Sequence, residues 1–168
     1  CCFVDDLGLA FPGAIGIDND EKIAGLAKIA EAIKSKGSKA LLQIYHGGRM
    51  VDPKLIGGRT PVGPSAVAAP RDGAATPVAL TGEEVEGMIG KFGEAVRRAI
   101  QAGFDGVEIH GANTYLIQQF YSPNSNQRDD EWGGSRDNRA KFPLAVLDIT
   151  HKMVRQYADD AFIIGYRF

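Results

Sequence analysis

Residues 81–110 read TGEEVEGMIGKFGEAVRRAIQAGFDGVEIH, and this stretch decides the fold. Thr81 and Glu84 have the spacing of a capping box, which predicts that a helix begins directly after Thr81. The apolar residues that follow recur every three or four positions, as they do on the buried face of a helix. Residues 104–109 then have the length of one strand and lead to His110. An amphipathic helix that is followed by a short apolar strand is the building unit of α/β proteins.

The same unit is found on both sides of this stretch. Residues 40–45 (ALLQIY) and 161–166 (AFIIGY) are apolar and of strand length, and they read as buried parallel strands. A helical stripe of apolar residues precedes each of them, at 23–33 and at 142–153. The order helix, strand, helix, strand, helix, strand predicts a parallel sheet with right-handed crossovers.

Each of the three predicted strands ends on a basic side chain, namely His46, His110 and Arg167. The carboxyl ends of parallel strands lie on one side of a sheet, so we expect these side chains to converge although they are far apart in sequence. Long loops over 46–80 and 111–134 follow the first two strands. In barrel and doubly wound enzymes such loops carry the active site.

Polar residues within and after these strands are the candidate site residues. Gln43 lies inside an apolar strand, where a buried amide needs a partner, either a neighbouring backbone group or a polar ligand. His110, Asn113 and Tyr115 lie within six residues of each other, directly after the second strand. The three histidines lack metal-ligand spacing, and neither CxxC nor HExxH occurs, so we expect no metal site. The GxSxG elbow of hydrolases and the common phosphate-binding motifs are absent too.

The composition limits the class of partner. The net charge is −2 and charged residues make up 24% of the chain, so no basic surface points to nucleic acid or to an anionic membrane. The apolar runs are too short to cross a bilayer, and no secretory leader is visible. The adjacent Cys1 and Cys2 cannot form the framework of a disulfide-stapled domain. We therefore expect a cytoplasmic protein without nucleic-acid or membrane partners.

The run HGANTYLIQQFYSPNSNQRDDEWGGSRDNRAKF at 110–142 resembles the signature region of the Old Yellow Enzyme and NADH:flavin oxidoreductase family. The segments LLQIYHGGR (41–49) and FIIGYR (162–167) resemble the third strand with its loop and the fifth strand of that family. The resemblance covers essentially the whole chain. It implies the α/β fold class and a partial (β/α)8 TIM barrel, from the end of strand 2 through strand 5, with residues 1–168 as one partial FMN-binding domain of a longer chain.

The resemblance also implies a role for each candidate residue. His110 and Asn113 match the pair that donates hydrogen bonds to the carbonyl oxygen of an α,β-unsaturated substrate. Tyr115 matches the tyrosine that supplies a proton to the α carbon of that substrate. Gln43 matches the glutamine that bonds the edge of the isoalloxazine ring, and Arg167 matches the arginine beside the N1/O2 end of the flavin. The implied cofactors are FMN, with NADH or NADPH as the reductant.

The predicted function is therefore that of an NAD(P)H:flavin oxidoreductase of the ene-reductase type, which reduces activated C=C bonds of small enones. A flavoenzyme similar to 2,4-dienoyl-CoA reductase is the alternative within this class. A non-catalytic binding module derived from the barrel is the alternative from another class, since one fold hosts many functions. The complete set of His110, Asn113 and Tyr115 argues against the non-catalytic module.

Both ends of the chain lie in apolar stretches, which predicts a fragment of a longer protein. We expect unpaired sheet edges at Cys1–Val4 and at Ala161–Tyr166, and such edges tend to associate, so that the isolated chain aggregates or forms a homo-oligomer. Barrels commonly build their phosphate site from the loops after strands 7 and 8. Neither loop is present, so we expect the isolated fragment to be inactive.

Overall fold

The computed structural model describes all 168 residues, which form seven strands and four α-helices. The strands are β1 (Cys2–Phe3), β2 (Ile15–Gly16), β3 (Leu41–Tyr45), β4 (Val62–Gly63), β5 (Val78–Ala79), β6 (Gly106–His110) and β7 (Ile163–Arg167). The helices are α1 (Ile23–Lys34), α2 (Gly82–Gln101), α3 (Leu116–Tyr121) and α4 (Arg136–Tyr157). None of the four helices combines the length and the apolar character that a membrane-spanning segment needs.

Five of the strands form one parallel sheet in the order β2-β1-β3-β6-β7, and β4 and β5 form a small separate pair. The three strands predicted from their apolar runs are β3, β6 and β7, and each follows one of the helices α1, α2 and α4. The predicted alternation of helix and strand is confirmed.

The capping box that opens α2 is present. The Oγ1 of Thr81 accepts a hydrogen bond from the backbone N–H of Glu84 at 3.2 Å, and the Glu84 carboxylate accepts one from the Thr81 N–H at 2.8 Å. These two bonds satisfy N–H groups that a helix start leaves unpaired. The apolar stripe of α2 is buried, with Phe92 and Val96 fully inaccessible to solvent. The helix therefore starts where its cap requires and packs the face that its periodicity predicts.

The two faces of the sheet have different environments. Side chains alternate along a strand, and Leu42, Ile44, Val107 and Ile109 all point to the face that the helices cover. The opposite face carries the intervening residues of β3, β6 and β7. This face is partly open, because Leu41, the first residue of β3, is 43% exposed. It is therefore less covered than the face that packs against the helices.

One of the two expected sheet edges is covered. Cys2 and Phe3 pair with Ile15 and Gly16 of β2, and Cys2 is only 2% exposed. The expectation of an unpaired edge at Cys1–Val4 is therefore wrong, because the chain folds back after β1 and adds a short parallel strand beside it. The other edge is as expected: β7 pairs with β6 alone, and Ile163 is 40% exposed.

Candidate functional site

Three of the predicted site residues meet on the open face of the sheet. Gln43 on β3 lies opposite Glu108 on β6, and His110 lies opposite Arg167 on β7. Glu108 and His110 are two residues apart on one strand, so their side chains share this face. The register therefore brings Gln43, His110 and Arg167 to the carboxyl edge of the same face, although they are distant in sequence.

The amide of Gln43 has a side-chain partner. Its Nε2 donates a hydrogen bond to the Glu108 carboxylate on the neighbouring strand. The sequence left open whether Gln43 bonds a backbone group or a ligand, and Glu108 was not among the candidates. Glu108 is a charged residue in the apolar run 104–109, two positions before His110, and this is the sequence signal that could have identified it. The bond between the two side chains fixes the orientation of the Gln43 amide.

His110 and Tyr115 form an aromatic group at the edge of this face. Their ring centroids are 5.1 Å apart with the rings edge to face, and Tyr115 also stacks on Tyr45 at 5.2 Å. Burial raises the pKa of Tyr115, and it raises the pKa of Tyr45 to about 12. Both phenols therefore keep their protons at neutral pH, so the Tyr115 hydroxyl can donate one.

His110 is arranged as a neutral hydrogen-bond donor. Burial and then the charge of Arg167 lower its pKa, while Glu108 acts in the opposite direction. The Nδ1 of His110 accepts a hydrogen bond from the Ala112 N–H at 3.4 Å. In a neutral imidazole one nitrogen accepts and the other carries the proton, so Nε2–H is left to donate to a ligand.

Asn113 lies in a strained loop between these two rings. Asn113 and Thr114 have φ values of 55° and 59°, in the left-handed region that non-glycine residues, and β-branched ones above all, rarely adopt. The side chain of Asn113 is exposed and makes no hydrogen bond within the chain. Backbone strain of this kind costs about 1–3 kcal/mol per residue and clusters at functional sites. Asn113 thus presents an exposed, unbonded amide in the loop that joins His110 to Tyr115.

His46 does not join the group, although it ends a strand as His110 does. Its ring is 1% exposed, and its Nδ1 accepts a hydrogen bond from the Gly48 N–H at 3.0 Å. Burial lowers the pKa of His46 to about 4. The expectation that all three basic strand ends converge is wrong for this residue, because its ring packs against Gly8 in the loop after β1, near Asp5 and Lys91. The ring is enclosed by the chain, and its Nε2 has no hydrogen-bond partner.

The site contains no arrangement that suits a metal ion. No group of three or more His, Cys, Asp or Glu side chains lies close enough together anywhere in the chain to hold one. The chemistry available to the cluster is that of neutral donors at His110 and Asn113, a phenol at Tyr115 and a cation at Arg167.

Comparison with known proteins relates this geometry to a family. The model of the NADH:flavin oxidoreductase / NADH oxidase family matches residues 1–168. NADH:fumarate oxidoreductase of Klebsiella pneumoniae (strain 342) is 89% identical over 168 residues, which are 100% of this chain and 18% of that protein. NADH:acrylate oxidoreductase of Vibrio harveyi is 63% identical over 166 residues, which are 99% of this chain and 16% of that protein.

A solved structure shows the same fold. Morphinone reductase superimposes with a TM-score of 0.89 at 32% sequence identity, over 99% of this chain and 47% of that one. This likeness confirms the predicted fold, which is part of a (β/α)8 barrel. The chain spans less than half the length of each of these three relatives.

Proposed function

The chain belongs to the NADH:flavin oxidoreductase / NADH oxidase family, and we propose that, within a complete (β/α)8 barrel, it helps to bind FMN and reduces C=C bonds conjugated to a carbonyl or carboxyl group. NADH is the proposed reductant, and NADPH is a second proposed one. The observation that carries this proposal is the cluster of His110 and Tyr115, with ring centroids 5.1 Å apart, at the edge of the open face that bears Gln43 and Arg167.

The open face has features that suit a flavin. Gly165 lies opposite Glu108 and contributes no side chain to this face, and we propose that a flat ring system lies against it. Gln43 offers an amide on β3, and Arg167 offers a cation at the end of β7. We propose that Gln43 holds the edge of the ring and that Arg167 lies at its N1/O2 end, where a cation favours negative charge. When bound, FMN supplies the two-electron carrier between a nicotinamide and the alkene.

The loop residues supply what alkene reduction needs. Addition of hydride to the β carbon puts negative charge on the substrate oxygen, and the donors at His110 and Asn113 stabilise charge that develops in the transition state. The α carbon then needs a proton. Tyr115 holds one at its hydroxyl oxygen, and its raised pKa keeps that proton in place at neutral pH.

Unsaturated carboxylates are the proposed substrate class. The names of the two bacterial relatives support it, because fumarate and acrylate both place a double bond next to a carboxyl group. The charge of Arg167 lies close enough to His110 to help lower its pKa, so an anionic substrate would meet favourable electrostatics here. We also propose a cytoplasmic location, with no nucleic-acid or membrane partner.

A second candidate function follows from the lengths of the relatives. The chain corresponds to 18% and 16% of the two bacterial proteins, so the alkene chemistry that their names state can reside in another part of them. The barrel would then only take a hydride from NADH and pass the electrons on. This candidate predicts flavin reduction by NADH without reoxidation by any alkene that reaches the barrel.

An anaerobic titration of the protein that contains this chain tests the proposal. We expect flavin absorption bands that NADH bleaches and that either 2-cyclohexenone or fumarate restores. A protein without flavin bands would overturn the proposed function. The second candidate would be favoured if, in a truncated variant that retains only the barrel, NADH bleached the flavin bands and neither alkene restored them.

A further inference from the structure

The side chain of Gln119 on α3 joins the loop after β3 to the loop after β6. It is 1% exposed. Its Oε1 accepts a hydrogen bond from the Arg49 N–H at 3.0 Å. Its Nε2 donates one bond to the Gly47 carbonyl at 3.1 Å and another to the Thr114 carbonyl at 2.6 Å. Both amide protons are therefore used, and they bond two loops that are far apart in sequence.

The loop after β3 is shaped around this amide. Gly48 has a φ of +57°, and a Cβ at this position would lie 2.2 Å from the Oε1 of Gln119. Both the backbone conformation and the close approach require glycine here. The backbone of Gln119 is held as well, because the Oγ of Ser125 donates a hydrogen bond to its backbone carbonyl at 2.8 Å. The amide of Gln119 thus has one available position.

The bond to Thr114 falls on the strained part of the other loop. Asn113 and Thr114 are the two non-glycine residues with positive φ in the chain. Such backbone persists only where its surroundings hold it in place. Gln119 holds the Thr114 carbonyl, and the neighbouring Gln118 side chain accepts from the Thr114 N–H at 2.5 Å. Without these bonds the loop is free to relax to ordinary backbone angles, which would move Asn113 and Tyr115.

We propose that Gln119 is a positioning residue for alkene reduction. It touches neither substrate nor cofactor; it locks the loop that carries Asn113 and Tyr115 to the loop after β3, and so sets both side chains relative to His110. This inference rests on the proposed function and adds a residue to it. Its consequence is that loss of the amide weakens the alkene half of the reaction while the sheet face that bears Gln43 and Arg167 stays intact.

The first test is Gln119→Leu in the FMN-loaded protein. Leucine keeps the volume close to that of glutamine but removes the acceptor of the buried Arg49 N–H and the donor to the Thr114 carbonyl, while the Gly47 carbonyl still accepts from the Met50 N–H. We expect kcat with 2-cyclohexenone to fall by about 10²-fold, the cost of misplacing a reacting group by about 1 Å, and KM to rise. FMN content and the rate of flavin reduction by NADH are expected to change much less. The measurement is anaerobic stopped-flow absorption of each half-reaction.

Asn126→Leu is the matched control. Asn126 is 4% exposed, and its amide also makes three bonds to backbone, to Phe120 at 2.7 Å, to Trp132 at 2.8 Å and to Arg128 at 3.1 Å. None of these partners lies in the two segments that Gln119 joins, residues 47–49 and 113–115. We expect this variant to lose stability but to keep the wild-type ratio of the two half-reaction rates. If both variants slow alkene reduction equally, Gln119 is a structural residue and the proposal is wrong.

A second variant, Gln119→Glu, keeps the proposal testable where leucine prevents folding. An ionised carboxylate would face the carbonyls of Gly47 and Thr114, whereas a protonated one can donate to one of them. Burial and those carbonyls raise the pKa of such a carboxyl, so partial recovery of alkene turnover is expected as the pH falls from about 8 to about 6. A pH profile with the wild-type shape would contradict the positioning role.

The two proposals can fail separately. Wild-type protein without flavin bands or enone turnover would refute the proposed function and, with it, the role of Gln119 in alkene reduction, but not the lock between the two loops. The lock would then be judged by hydrogen exchange at the Arg49 N–H, which loses its acceptor in Gln119→Leu but keeps it in Asn126→Leu. Faster exchange in the first variant supports the lock, and equal exchange in the two variants overturns it.

Discussion

Replacing Tyr115 with phenylalanine is expected to slow alkene reduction by about 10²–10⁴-fold, the contribution typical of a positioned general acid. The change removes one hydroxyl and keeps the ring that packs against His110 and Tyr45. Reduction of the bound flavin by NADH needs no proton from Tyr115 and is expected to stay at the wild-type rate. Stopped-flow measurement of the two half-reactions under anaerobic conditions gives both rates.

Tyr45→Phe is the control for this substitution. Tyr45 stacks on Tyr115 at a centroid distance of 5.2 Å, is fully buried and accepts a weak hydrogen bond from the Ala10 N–H at 3.4 Å. Its hydroxyl has no access to a substrate, so its loss is expected to leave alkene turnover within a few-fold of wild type. Similar losses in both half-reactions of Tyr115→Phe would assign Tyr115 to packing rather than to proton transfer.

Replacing His110 with alanine is expected to lower alkene turnover by about 10²–10³-fold, the cost of removing one donor to a developing oxyanion. Affinity for a carbonyl probe such as 4-hydroxybenzaldehyde falls as well, because Nε2–H no longer donates to its oxygen. His110→Asn restores an N–H donor on a shorter side chain and is expected to recover part of both losses. Titration of the flavin absorption with the probe measures the affinity.

The asparagine variant shows whether His110 acts as a hydrogen-bond donor or only packs against its neighbours. His110 is 4% exposed, so alanine also leaves a cavity beside Tyr115. If a cavity alone caused the loss, His110→Leu would recover more than His110→Asn. That order of recovery would show that the role of His110 is packing.

Much of the fold could be predicted because its signals are local. A capping box and an apolar stripe determine where α2 begins and which face it buries, and three apolar runs locate β3, β6 and β7. The cover over β1 could not be predicted in this way. Ile15 and Gly16 form a strand of two residues, without periodicity, and only the fold-back of the chain after β1 brings them beside Cys2 and Phe3.

The site could be predicted where a residue acts from its own strand or loop, and less well where it acts through a distant partner. His110 and Tyr115 lie in one segment, so their proximity was foreseeable. Glu108 bonds Gln43 across 65 positions of sequence, and Gln119 bonds Gly47 across 72. Such pairs depend on strand register and loop packing, which no local pattern encodes. The left-handed backbone conformation of Thr114 could not be predicted from the sequence either, because threonine usually avoids this conformation.

The central claim is that the open sheet face and the two loops at its carboxyl edge form one site for FMN and an alkene. A crystal structure of the complete protein with FMN and 4-hydroxybenzaldehyde tests it most directly. We predict that Gln43 and Arg167 contact the isoalloxazine ring and that an oxygen of the probe lies within hydrogen-bonding distance of His110 and Asn113. Flavin bound away from this face, or a probe whose oxygen contacts neither residue, would contradict the account.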